Sequence, residues 1–229
     1  ALNIIAGPKE FHAKVLAAQE QLYREMDEWY LKEGIETSPE GWRATLYFYC
    51  VEITVPEWDG WRIPVSGTWQ MLKSDRAVWV ELVPVPDQKR FDFKIHEGGM
   101  GFAQAAKGTK VEQDIVCPQS LWDILHREGK TDNATRTIPL NSLIQNHGGL
   151  RRWDKDDFIP RDGDFYGERL YCIRWEKKRP KGRPLSIFRE PQPEDLRQEE
   201  DLTRRVAANL EKWQHEGWVP DWRIQEGKE

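Results

Sequence analysis

The sequence predicts an α+β fold: an antiparallel, β-rich middle of hairpins and a meander, bracketed by long amphipathic helices at the N- and C-terminal ends. Three observations predict it. Apolar residues recur at three- and four-residue spacing over long stretches near the two ends, β-branched and aromatic residues crowd the middle, and the middle is cut at short intervals by Pro, Asp and Gly. The expected division is a helical segment over 1–40, a β-rich body over 41–190 and a second helical segment over 191–229, packed together as one unit.

The first helix follows Pro8, which suits a first helical turn, and carries Phe11, Val15, Ala18, Leu22, Met26 and Trp29 on one face before ending near Gly34. Lys14, Glu20, Arg24 and Glu28 fall on the opposite, solvated face. After the break at Ser38-Pro39-Glu40-Gly41, residues 44–55 form the first long strand. Pro56-Glu57-Trp58-Asp59-Gly60 turns it, and 61–65 returns as the hairpin partner. Further strands are expected at 67–72, 77–83 and 90–95, then a helix over 119–128 with Leu121, Trp122 and Leu125 on one side. A polar loop over 130–136 follows. The strongest late strand is 169–175, entered through the turn chemistry of Pro160-Arg161-Asp162-Gly163-Asp164. Alternation puts Leu170, Cys172 and Arg174 on one face and Tyr171, Ile173 and Trp175 on a buried aromatic face. Leu202, Val206, Leu210 and Trp213 mark the closing helix, with Gly217 at its end.

Composition narrows the function classes. The 229 residues are 38% hydrophobic and include 12 Trp, enough for one sizeable core or two small ones and unlike a disordered chain. No apolar run approaches the ~20 residues that cross a bilayer, and the first residues lack the pattern of a secretory leader. A soluble, cytoplasmic protein with no membrane partner is the expectation. Cys50, Cys117 and Cys172 lie far apart, as reduced structural thiols do, and none of the five histidines has a histidine or cysteine at metal-ligand spacing. No catalytic, cofactor or metal residue is assigned. His96-Glu97-Gly98-Gly99-Met100-Gly101 invites comparison with a cofactor loop, but no parallel crossover follows, so it reads as a loop.

Net charge is −5, unevenly spread. Residues 1–40 hold 4 basic and 8 acidic residues and 191–229 hold 6 and 10, while 150–190 hold 12 and 8. A local positive segment between acidic ends can face phosphate. Its densest part is Lys177-Lys178-Arg179-Pro180-Lys181-Gly182-Arg183-Pro184. Lys177, Lys178 and Arg179, with Arg151, Arg152, Lys155 and Arg161, are assigned as the DNA-contacting set, and Trp153, Phe158, Phe165 and Tyr166 as aromatics that stack on bases or pack beneath the loop. Asp154, Asp156, Asp157, Asp162 and Asp164 read as turn formers and partners of nearby arginines, and Cys172 as a packed thiol.

Several stretches carry a resemblance: Arg152-Trp153, Phe158-Ile159-Pro160-Arg161, Glu168-Arg169-Leu170-Tyr171-Cys172-Ile173-Arg174-Trp175, Glu194-Asp195-Leu196 and Trp213-Gln214-His215-Glu216-Gly217-Trp218-Val219-Pro220. Through them nearly the whole chain resembles the middle, non-catalytic region of the large adenine-specific DNA methylases that have a zinc-ribbon-like insertion and an N-terminal domain of unknown function. The resemblance implies ribbon-like hairpins at 46–64 and 69–84. It also implies S-adenosylmethionine as the parent enzyme's cofactor, DNA and the remaining methyltransferase domains as partners, and a role in DNA engagement or target recognition. The alternative it leaves open is a docking domain that binds protein instead of DNA. Two departures matter. The family's paired-cysteine knuckles are reduced to Cys117, where a zinc site needs about four ligands, so a degenerate, metal-free ribbon is expected. The family's Pro-Pro-aromatic motif and cofactor loop are also missing, so the chain alone is not expected to transfer methyl groups.

Overall fold

Among the described residues, β1 (Arg43–Val55) is the longest strand and lies inside the largest sheet. A computed structural model describes residues 8–33, 36–38, 40–74, 76–131, 134–152 and 163–219. Helix α1 (Lys9–Glu33) precedes β1, and β2 (Trp61–Val65), β3 (Gln70–Leu72), β4 (Val78–Val85) and β5 (Arg90–Glu97) follow it. Then come the short helix α2 (Gly101–Gln104), β6 (Lys110–Val111), β7 (Asp114–Val116), α3 (Gln119–Arg127), β8 (Thr137–Pro139) and α4 (Leu140–Asn146). Strands β9 (Tyr166–Lys177) and β10 (Leu185–Arg189) and helix α5 (Pro193–His215) complete the order. The fold is α+β, a β-rich middle flanked by N- and C-terminal helices.

Among the described residues three sheets form the middle, with strand orders β10-β9-β1-β2, β3-β4-β5 and β6-β7-β8. Two turns of one design set the hairpins. Pro56–Trp58 and Pro86–Gln88 are single 3₁₀ turns closed by a left-handed residue, Asp59 (φ 56°) and Lys89 (φ 48°). Proline supplies the fixed φ of the first position, and the left-handed residue reverses the chain. The registers that result pair Val55 with Trp61, and Val85 with Arg90.

The chain separates into two compact units. One comprises Ala1–Tyr47 with Arg174–Ile187. In it Arg43 pairs with Asp27 of α1, the Ala44 N–H donates to the Glu36 carbonyl at 2.9 Å, and the Thr45 hydroxyl donates to the Arg174 carbonyl at 3.3 Å. The apolar stripe expected of α1 is present as a helix face, but Phe11, Leu22, Met26 and Trp29 are all exposed, Trp29 by 53%. Periodicity predicts the face; it does not predict what covers it.

The other unit comprises Phe48–Ile173 with Phe188–Glu229 and holds the core. Ile53, Val55, Trp58, Trp61, Ile63, Phe91, Ile115, Leu121, Leu125 and Phe165 are buried in one cluster, and Cys50, Trp69, Val80, Phe93 and Ala105 in a second. Trp58 is fully buried because its indole N–H reaches the Thr135 carbonyl at 2.9 Å, which removes the cost of burying a polar edge. In β9 the expected one-sided burial is replaced by burial on both faces: Leu170, Cys172, Ile173 and Trp175 are all buried. A central strand covered on both sides loses the in/out alternation of an edge hairpin. Helix α5 starts at a capping box in which Asp195 accepts from the Gln192 N–H and from Arg189, each at 2.7 Å. Its half-buried positions include Val206, Leu210 and Trp213, as expected, but Leu202 is exposed and the stripe continues through Thr203 and Glu199. Burial pushes the Glu199 carboxyl up, opposed by a hydrogen bond from Tyr49 of β1.

Candidate nucleic-acid interface

Residues 178–184 connect β9 to β10, neighbours in the largest sheet. Seven residues cannot make a parallel crossover, which takes about a dozen or more, so the connection is a hairpin tip. Pro180 and Pro184 cannot donate to a ladder, and Gly182 adopts φ 88°, so pairing ends here. All seven residues are exposed. From Lys177 to Arg189 the chain carries no acidic residue, whereas Lys178, Arg179, Lys181 and Arg183 all fall within the tip. None of these four pairs with a described residue. Exposed cations are the form in which a protein surface displaces counterions from phosphate.

Lys177 differs from its neighbours. It is half-buried, donates to the Glu40 carbonyl at 2.7 Å and lies 5.9 Å from the centre of the Trp42 ring. A backbone bond and a cation–π contact hold it as an anchor at the root of the tip.

In the other unit, Arg151 is taken up structurally. Its guanidinium meets Asp164 with Nε at 2.6 Å from Oδ1 and Nη2 at 2.9 Å from Oδ2, while the Asp164 side chain is 1% exposed. Backbone bonds reinforce the pair, from the Arg151 N–H to the Gly163 carbonyl at 2.9 Å and from the Phe165 N–H to the Arg151 carbonyl at 2.8 Å. A bidentate pair of this kind is directional and leaves little of the guanidinium for an outside phosphate. Arg152 next to it is exposed, and its charge opposes the upward push that burial gives the Tyr166 hydroxyl. Lys155 and Arg161, with Trp153 and Phe158, lie outside the described residues. Phe165 is fully buried and stacks edge-on with half-buried Tyr166, so it packs in the core of its own unit.

Arg169 is more deeply engaged. It pairs with Glu52 at 3.1 Å and with Asp92 at 3.0 Å, donates to the Phe91 carbonyl, and sits 4.8 Å from the centre of the Phe93 ring. One guanidinium thus ties β9 to β1 and β5. The glycine-rich stretch after β5 is also structural. Gly98 and Gly99 have positive φ, and a Cβ at Gly101 would fall 2.1 Å from the Trp79 ring. Glycine is needed there for turn geometry and for close approach of Trp79, which stacks on His96 at 4.4 Å.

Burial pushes the Cys50, Cys117 and Cys172 thiols up to about 12, so none is a thiolate nucleophile near neutrality. Among the described residues no group of three His, Cys, Asp or Glu side chains is placed to hold a metal ion, and no helix is long and apolar enough to cross a membrane. No family model, curated protein or solved structure matches the chain.

Of the seven residues assigned from sequence, the described structure leaves Arg152, Lys178 and Arg179 accessible and unpaired, and uses Arg151 and Lys177 as structural ties. It adds Lys181 and Arg183. Their signal is plain in the sequence, since they share the Pro- and Gly-broken run with Lys178 and Arg179.

Proposed function

We propose that this chain is a non-catalytic accessory module of an adenine-specific DNA methyltransferase, and that it engages DNA phosphate through the β9–β10 tip. The observation that carries the proposal is the set of four exposed cations, Lys178, Arg179, Lys181 and Arg183, in seven acid-free residues. The resemblance along 152–175 and 194–220 supports the methyltransferase affiliation. Methyl transfer itself, with S-adenosylmethionine, belongs to the remaining domains of the parent enzyme, and this module holds the duplex beside them. Phosphate contacts position a duplex without reading it, so target choice would come from contacts to base edges. Fluorescence anisotropy of a labelled duplex against the chain and against a variant with all four cations changed to Ala tests the proposal. The variant should lose most of its affinity at low salt while keeping its circular dichroism and melting temperature; equal affinity of the two proteins would refute the assignment.

A second reading is favoured by α1. Phe11, Leu22, Met26 and Trp29 form an exposed apolar face on a 25-residue helix, and an uncovered face of this kind suits docking against a protein surface. The remaining methyltransferase domains are the partner this reading names. Leu22→Lys with Met26→Lys should then abolish assembly with those domains and leave DNA affinity of the module unchanged; retained assembly would remove the reading.

A further inference from the structure

The tip has a shape as well as a charge, and the shape selects among places on a duplex. This step rests on the phosphate-contact proposal above. Pro180 and Pro184 fix the backbone at each end of Lys181-Gly182-Arg183. Gly182 has φ 88°, and a Cβ built on it would meet nothing within 4 Å. The glycine is therefore not making room for another part of the protein. It holds a left-handed turn and leaves bare backbone within the hairpin connection, with a cationic residue on either side.

B-form DNA offers two sites for such a tip. The major groove is about 12 Å wide and accepts a helix or a two-stranded ribbon, whereas the minor groove is about 6 Å wide. A helix is too broad for the minor groove; a turn whose central residue is a glycine brings a narrower edge. A·T-rich stretches narrow that groove further and deepen its negative potential, which draws in Arg and Lys. The floor there presents acceptors only, without the guanine amino group that projects from a G·C pair. Arginine and lysine are donors only, so their chemistry matches that floor. Arg179, Lys181 and Arg183 occur at every second residue, and no carboxylate from 177 to 189 competes for them.

We infer that the 178–184 tip enters the minor groove of A·T-rich duplex DNA, with Lys181, Gly182 and Arg183 at the groove and Lys178 and Arg179 on flanking phosphates. The test uses the whole 229-residue chain and two labelled duplexes of equal length, one A·T-rich and one G·C-rich, at the same salt concentration. The A·T duplex should bind about tenfold or more tightly, as one good groove interaction is worth about that factor. Netropsin, which occupies the A·T minor groove, should displace the protein. Lys181→Ala with Arg183→Ala should bring the two affinities together, and Lys178→Ala should weaken both by the same factor. Equal affinity for the two duplexes with no netropsin competition overturns the groove inference and leaves phosphate contact standing. Binding to neither duplex overturns both. The netropsin measurement uses the unaltered chain, so it decides the matter even where a variant folds poorly.

Discussion

Arg169 and the 178–184 tip lie a few residues apart in one positively charged stretch, yet the protein uses their charge in opposite ways. Arg169 has a side chain only 21% exposed, with Glu52, 7% exposed, and Asp92 as its ion-pair partners. The tip holds four exposed cations with no described anion. Counting charge along the chain treats these arginines and lysines alike, but pairing separates them. A paired arginine contributes to holding strands together, and its field is cancelled locally. An unpaired one leaves its field in solvent, where a phosphate can meet it. Arg151 belongs with Arg169, and Lys177 stands between the two kinds.

The comparison can be broken first at its buried end. Arg169→Ala leaves Glu52 buried without its cation and should cost about 3–5 kcal/mol, read as a loss of unfolding free energy in urea. A loss below about 1 kcal/mol would show that Arg169 is not a structural tie. Next in size is Arg151→Ala, which removes the bidentate partner of the Asp164 carboxylate; a cost of about 2–3 kcal/mol is expected, smaller because the Arg151 side chain is 33% exposed. Asp164→Asn should recover part of that loss in the Arg151→Ala background, since a neutral amide is cheaper to bury without the arginine than a charge. Chemical denaturation of the single and double variants checks this coupling. Smallest in stability is the tip. Changing Lys178, Arg179, Lys181 and Arg183 to Ala together should move the melting temperature by no more than about 2 °C, because no described ion pair or hydrogen bond of these side chains is removed.

These distinctions mark where the sequence is informative and where it is not. Turns are readable because their chemistry is local: Pro56 and Asp59, and Pro86 and Lys89, carry the reversal within four residues. The long helices and β1 are readable from period and composition. Sheet β6-β7-β8 is not, since its strands hold only two or three residues, too few for any alternation to register. The exposure of the α1 stripe is hidden for a different reason: an apolar face looks the same in sequence with or without a covering partner. Asp164 is legible as the partner of a nearby arginine, because Arg151 lies only 13 residues away. The Arg169–Glu52 pair spans 117 residues, and nothing short-range announces it. In the candidate interface the basic run itself is visible, while the separation of Lys177 from Lys178 requires the fold.

The salt dependence of duplex affinity tests the central claim most directly. Each phosphate that the protein no longer neutralises should reduce the magnitude of the slope of log K against log salt concentration by about 0.9. With the four tip cations changed to Ala, that magnitude should fall by at least about 2, from the phosphates held by Lys178 and Arg179, whereas Lys177→Ala alone should change it by less than about 0.5. An unchanged slope in the four-alanine variant would contradict the account, since the duplex would then be held by cations elsewhere in the chain.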